Sequence, residues 1–277
     1  VAAEPPVHGP PRLDGVRGFV FDIDGTLVHR TGDGRAQALP GAREVLERIR
    51  SSGRPLVLFT NGSHVSAEAI AAGLTRDGVP VSAREVMTPV DSALSYLGRR
   101  HRGAPTLLFA TAATRALMAD AGVAVTDGED AQVVFVAHVD EVDIESLERG
   151  ARAVARGAAF FTASYVAAYA GANGPIFSRG AMATAAIAKV TGRRPRVLGK
   201  PSRAAINEVA ARLGVASDAI AVIGDDARMD IPLGHLGGAL TVLVRSGISG
   251  SLDLATLPAS RRPHAVIASV ADLLGSV

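Results

Sequence analysis

The chain has 277 residues, 48% hydrophobic and 20% charged, with a formal net charge of +2 and no cysteine. The missing thiol excludes disulfides, thiolate nucleophiles and Cys-bound zinc or iron–sulfur clusters, and the near-balanced charge argues against a surface built for polyanions. Short basic runs at Arg99–Arg102, Arg193–Arg196 and Arg261–Arg262 carry no interleaved aromatic rings, so nucleic acid is not an expected partner. No apolar stretch approaches the roughly 18 residues of a membrane span, so no membrane partner is expected and a cytoplasmic location is.

Residues 1–15, rich in proline at their start, read as a flexible leader without the basic and apolar blocks of a signal peptide. Val16 through Ile23 is rich in β-branched and aromatic side chains and predicts a strand that delivers Asp22 and Asp24 into a turn at Gly25-Thr26. Gly41–Arg50 puts Val45, Leu46 and Ile49 on a helical stripe. Leu56–Phe59 then reads as a strand ending at Thr60-Asn61-Gly62, and Ser66–Leu74 as a helix. Strand patterns recur at Thr106–Phe109, Val123–Val125, Val133–Val136 and Ala159–Thr162, with helices over Thr111–Ala121 and Ile144–Arg156 between them. Further on come a helix at Gly180–Val190, a strand at Arg196–Leu198, Lys200-Pro201 and a helix at Ala204–Leu213. Strands at Ala219–Ile223, Leu240–Val244 and Ala265–Ala268 complete the pattern, the first ending at Gly224-Asp225-Asp226.

Such alternation predicts α/β architecture with a Rossmann-like parallel-sheet core. Two separated strand–helix series divide it into a first core half at 16–82, an inserted α/β cap at 83–172 and a second core half at 173–277.

In an open parallel sheet the C-terminal strand ends face the ligand crevice. Four polar stations fall at such ends: Asp22 with Asp24, Thr60 with Asn61, Lys200, and Asp225 with Asp226 and Asp230. Two neighbouring carboxylates repel, and burying them unpaired is costly; a hard cation such as Mg²⁺, which prefers oxygen ligands, relieves both problems. Together the stations supply anions for a metal, neutral donors and a cation, a set that neutralises a phosphoryl group while keeping a nucleophile.

The ordered set Asp22-Ile23-Asp24-Gly25-Thr26, Thr60, Lys200 and Gly224-Asp225 with Asp230 resembles the haloacid-dehalogenase superfamily. The insert, Thr60-Asn61 and Leu198-Gly199-Lys200-Pro201 resemble its NagD-like, p-nitrophenyl-phosphatase branch. That resemblance implies an Mg²⁺-dependent phosphatase acting on a small phosphorylated metabolite through an aspartyl-phosphate. It implies Asp22 as nucleophile, and Asp24 as general acid and then base with its backbone carbonyl on the metal. Asp22 and Asp225 are implied as side-chain metal ligands, with Asp230 positioning a metal-bound water or pairing with Lys200. Thr60, Asn61 and Lys200 are implied as phosphoryl contacts.

Asp226 departs from the arginine that many members of the branch carry after Gly-Asp; an outer role around the metal is expected for it, with a surface role as the alternative. Within the insert, His138 and Tyr165 are the candidate specificity residues, each with a packing role as the alternative; Ser164-Tyr165-Val166 replaces an Asn-Pro-Asp common in relatives. A homodimer is implied, since related capped phosphatases associate. Phosphomutase or other phosphotransferase chemistry uses the same carboxylates and stands as one alternative, a noncatalytic metabolite-binding protein as another.

Overall fold

The computed structural model describes residues 7–31, 35–171 and 174–277. Leader residues 1–6 and the expected join at 172–173 lie outside them. The chain divides into two compact units, one of residues through Thr60, Ala67–Met87 and Pro201–Val277, the other of Asn61–Ser66 and Thr88–Lys200.

The first unit is built on a parallel seven-stranded sheet. Its order is Val7–His8, Ala265–Ile267, Leu240–Val244, Ile220–Gly224, Gly18–Phe21, Leu56–Phe59, Val86–Met87. Its central strands are buried along their whole length, as strands covered on both faces must be. The period-two alternation of a strand sorts the side chains cleanly. Phe19, Phe21, Leu56, Leu58, Ala221 and Ile223 enter one core with Val45, Leu46 and Ile49 of the helix Ala42–Ser51. Val20, Val57, Phe59, Ile220 and Val222 enter another with Ile206 and Val209 of the helix Arg203–Leu213. That second helix starts where the Ser202 side chain accepts from Ala205 N–H and stops at Gly214, whose φ of 68° suits a left-handed terminus. Part of the expected flexible leader is held: Val7–His8 pairs with Ala265–Val266, and Leu13 is buried.

The second unit has its own parallel five-stranded sheet, ordered Arg196–Val197, Ala159–Thr162, Val133–Val136, Thr106–Phe109, Val125–Thr126. Phe109, Val134, Val136, Val154, Phe160 and Ile187 form its core. The helices Ile144–Ala155 and Arg179–Thr191 lie close here. A Cβ at Gly150 would stand 2.8 Å from the Phe109 ring and 3.1 Å from Ile187. Residues 174–200, read from the sequence as the opening of the returning core, therefore group with this unit, because Arg196–Val197 extends its sheet.

Two antiparallel hairpins, Val28–Arg30 with Ala36–Ala38 and Ala168–Gly171 with Gly174–Phe177, have no counterpart in the sequence reading. Val28–Arg30 and Ala36–Ala38 have only three residues each, and Ala168–Gly171 and Gly174–Phe177 are made largely of Ala, Gly and Pro, which are depleted in strands. Among the described residues no helix is long and apolar enough to cross a membrane.

Candidate active site

Asp22 follows the strand Gly18–Phe21, whose sheet neighbours are Ile220–Gly224 on one side and Leu56–Phe59 on the other. Because all three run parallel, the residues after them, Asp22, Asp225 and Thr60, emerge at the same sheet edge. The Asp22 N–H donates to Ile223 O at 2.8 Å, which continues the ladder up to the carboxylate. Beyond it the chain turns sharply. Leu27 and Val28 donate to Ile23 O, Gly25 donates to Val28 O, and Gly25 adopts a φ of 84° that a Cβ would strain. Thr26 is fully buried in this turn, and its hydroxyl has no hydrogen-bond partner among the described residues.

Asp22, Asp225 and Asp230 each place a carboxylate oxygen within 4.8 Å of the others. Asp225 and Asp230 are buried, at 6% and 1% exposure, and Asp22 is half-buried. Each buried carboxylate is braced by backbone. Ile248 N–H donates to Asp225 Oδ2 at 2.7 Å, and Asp226 N–H donates to Asp230 Oδ2 at 3.1 Å. Glycine makes the room. A Cβ at Gly247 would lie 1.9 Å from Asp225 Oδ2, one at Gly25 2.3 Å from the same oxygen, and one at Gly224 2.2 Å from Asp230.

Three carboxylates this close repel by about 3.5 kcal/mol per pair at the effective dielectric of a protein surface. The fold accepts that cost at one spot, with all-oxygen donors of the kind a hard divalent cation selects. The donor set and the glycine cradle fit Mg²⁺.

Asp24 stands apart from this cluster by its side chain. Its Oδ1 accepts from Arg30 Nε at 2.6 Å, in an ion pair about half exposed on both sides. The Asp226 carboxylate accepts from Arg228 N–H at 2.7 Å and so closes the local turn. Thr60, half-buried, donates its N–H to Met87 O.

Asn61 and Lys200 belong to the second unit, where the Asn61 amide bonds the main chain of Lys200; Lys200 is buried, at 3% exposure. His138 donates its N–H to Ser63 Oγ, and its ring centroid lies 5.2 Å from that of His64. Tyr165 is 47% exposed.

Sequence reasoning did not single out Arg30, Gly247 or Ile248. The available signal was the end of the strand Leu240–Val244, since the loop after the next parallel strand must pass the same edge. Gly247→Ala is expected to push Asp225 off its bond to Ile248 and raise the Mg²⁺ concentration for half-activation by about 10- to 100-fold. A Mg²⁺ titration of phosphate release checks this.

Residues 19–124 match the family of haloacid dehalogenase-like hydrolases, and residues 197–273 match the HAD-hydrolase-like family. The ribonucleotide monophosphatase NagD of Escherichia coli strain K12 is 31% identical over 264 residues, covering 93% of this chain and 98% of the relative. The dihydroxyacetone phosphatase of Corynebacterium glutamicum is 24% identical over 92% of this chain and 90% of its own length. Among solved structures, NagD from E. coli K-12 superposes with a TM-score of 0.82 at 28% identity, over 92% of this chain and 97% of its own. The glycerol phosphate phosphatase of Mycobacterium tuberculosis, in complex with magnesium, gives 0.82 at 28% identity, over 93% of this chain and 77% of its own. With its carboxylate cluster on a parallel α/β sheet, the chain belongs to the haloacid dehalogenase superfamily, in the NagD-like, p-nitrophenyl-phosphatase branch.

Proposed function

We infer that this chain is an Mg²⁺-dependent hydrolase of small phosphomonoesters that works through an aspartyl-phosphate. The gathering of Asp22, Asp225 and Asp230 at one sheet edge carries the reading. In the proposed sequence a carboxylate oxygen of Asp22 attacks phosphorus, and the bond from phosphorus to the leaving oxygen breaks. Asp24 gives its proton to that oxygen, then takes one from the water that attacks the phosphorus of the aspartyl-phosphate. The bond between phosphorus and Asp22 breaks, inorganic phosphate leaves and the carboxylate is regenerated.

The chemistry supplied by bound Mg²⁺ is neutralisation of charge between the Asp22 carboxylate and the phosphate dianion. Asp22 and Asp225 would hold it by their side chains and Asp24 by its backbone carbonyl. Asp230 and Asp226 act around it. Thr60 donates to a phosphoryl oxygen, Asn61 acts at the same station, and Lys200 supplies the balancing cation.

The proposal assigns substrate choice to the inserted residues 83–172, with His138 and Tyr165 as the specificity side chains. The half-exposed phenol of Tyr165 and the partly open imidazole of His138 support it, since both retain surface for a leaving group. Ribonucleotides, dihydroxyacetone phosphate and glycerol phosphate, named for the relatives, set the range of candidate substrates. A homodimer belongs to the same proposal and is decided by sedimentation velocity of the purified chain. Phosphotransfer to a second metabolite is the competing outcome.

The test is a phosphate-release screen over nucleotide, sugar and polyol monophosphates with Mg²⁺ or with EDTA. Release that needs Mg²⁺ supports the proposal, whereas a phosphorylated acceptor appearing in place of free phosphate would turn it toward transferase chemistry.

A further inference from the structure

Asn61 and Lys200 are 139 residues apart in sequence and meet in the second unit through two reciprocal hydrogen bonds. Lys200 N–H donates to Asn61 Oδ1 at 2.9 Å, and Asn61 Nδ2 donates to Lys200 O at 3.0 Å. A primary amide that accepts from and donates to the same residue's main chain fixes that residue's position and its plane together. The approach is tight on the other side too. Leu198 N–H donates to Thr162 O and Gly199 N–H to Ala163 O, and a Cβ at Gly199 would come within 2.4 Å of Ala163 O and 3.0 Å of Asn61 Oδ1. Pro201 follows and holds the Lys200 backbone away from the helical region. Lys200 thus leaves the end of the strand pair at a fixed point, and the residue is only 3% exposed. For a four-carbon stem that carries a buried charge, the backbone origin decides where the ammonium can reach.

We propose that Asn61 is a positioning residue for Lys200: its side-chain amide holds the Lys200 main chain so that the ammonium is presented to the phosphoryl group. This rests on Lys200 being the phosphoryl-binding cation. It gives Asn61 a role through Lys200 in place of a contact of its own with the substrate.

A double-mutant cycle tests it, with kcat and KM for p-nitrophenyl phosphate measured in single-turnover and steady-state modes. The set comprises the unaltered chain, Asn61→Ala, Lys200→Ala and both together. Asn61→Ala is expected to lower kcat/KM roughly 10- to 100-fold, the loss from two neutral hydrogen bonds. In the Lys200→Ala background the same change is expected to cost less than about twofold, since no ammonium is left to misplace. Asn61→Asp keeps the acceptor for Lys200 N–H and turns the second bond into a repulsion between oxygens, so it should fall with Asn61→Ala. It also serves if the alanine variant does not fold.

Losses that multiply, whether from a direct contact of Asn61 with substrate or from a general folding defect, would overturn the proposal. Wild-type turnover by Lys200→Ala would instead remove the cation assignment beneath it, and the proposal with it.

Discussion

Asp22→Asn is expected to lower phosphomonoester turnover by roughly 10⁴-fold or more, in the range seen when the nucleophile of a covalent mechanism is removed. The amide matches the carboxylate in size, so the strand Gly18–Phe21 and the Asp22 N–H bond to Ile223 O should persist. Its oxygen is a poor nucleophile, and one anion is withdrawn from the cluster with Asp225 and Asp230. Two readouts therefore separate a chemical loss from a structural one. Without Mg²⁺ the melting temperature should stay level or rise, because like-charge repulsion in the cluster falls. The stabilisation that Mg²⁺ confers should shrink, because a ligand is gone. A variant that melts early and fails to refold would point instead to a structural role for Asp22.

Asp24→Asn should leave Mg²⁺ activation in place and cost on the order of 10²–10⁴ in rate, the usual worth of a positioned proton-transfer group. The loss should depend on the leaving group. An alkyl phosphate, whose departing alkoxide needs the proton, should suffer most, and p-nitrophenyl phosphate least in the first step. The Asp24 carboxylate faces Arg30 at 2.6 Å, in a pair about half exposed. An exposed pair of this kind is worth about 0–1 kcal/mol, weak enough for the carboxylate to exchange between the guanidinium and a leaving group. The amide oxygen that the substitution leaves in place can still accept from Arg30, so packing of the turn is retained. Single-turnover release of a series of leaving groups isolates the first step and checks the assignment; an equal loss for all of them in that step would remove Asp24 as the general acid.

What is legible in the sequence follows from the physics of parallel sheets. Central strands are buried on both faces, so Phe19-Val20-Phe21 and Ile220-Ala221-Val222-Ile223 stand out as apolar runs, and the polar residues that end them stand out equally. Asp22 and Asp225 are found in that way, and Asp230 by the resemblance its spacing carries. Contacts that depend on tertiary approach are not legible. The Ile248 N–H bond to Asp225 comes from a loop with no signal beyond its glycine, and the Asn61–Lys200 pair joins segments 139 residues apart. The reach of the second unit to Lys200 is hidden for a related reason. Arg196–Val197 is a two-residue strand, and only its pairing with Phe161–Thr162 shows which sheet it extends.

The central claim is that the phosphoryl group passes through a covalent bond to Asp22, and the most direct test is to trap it. The enzyme is mixed with p-nitrophenyl phosphate and Mg²⁺, quenched during turnover and reduced with borohydride. That treatment converts an acyl phosphate to the alcohol, and the peptides are then read by mass spectrometry. Homoserine is expected at position 22, dependent on both substrate and Mg²⁺ and absent from Asp22→Asn. Unmodified Asp22 in an enzyme turning over at full rate under conditions that trap a control acyl phosphate, or homoserine at another aspartate, would contradict it.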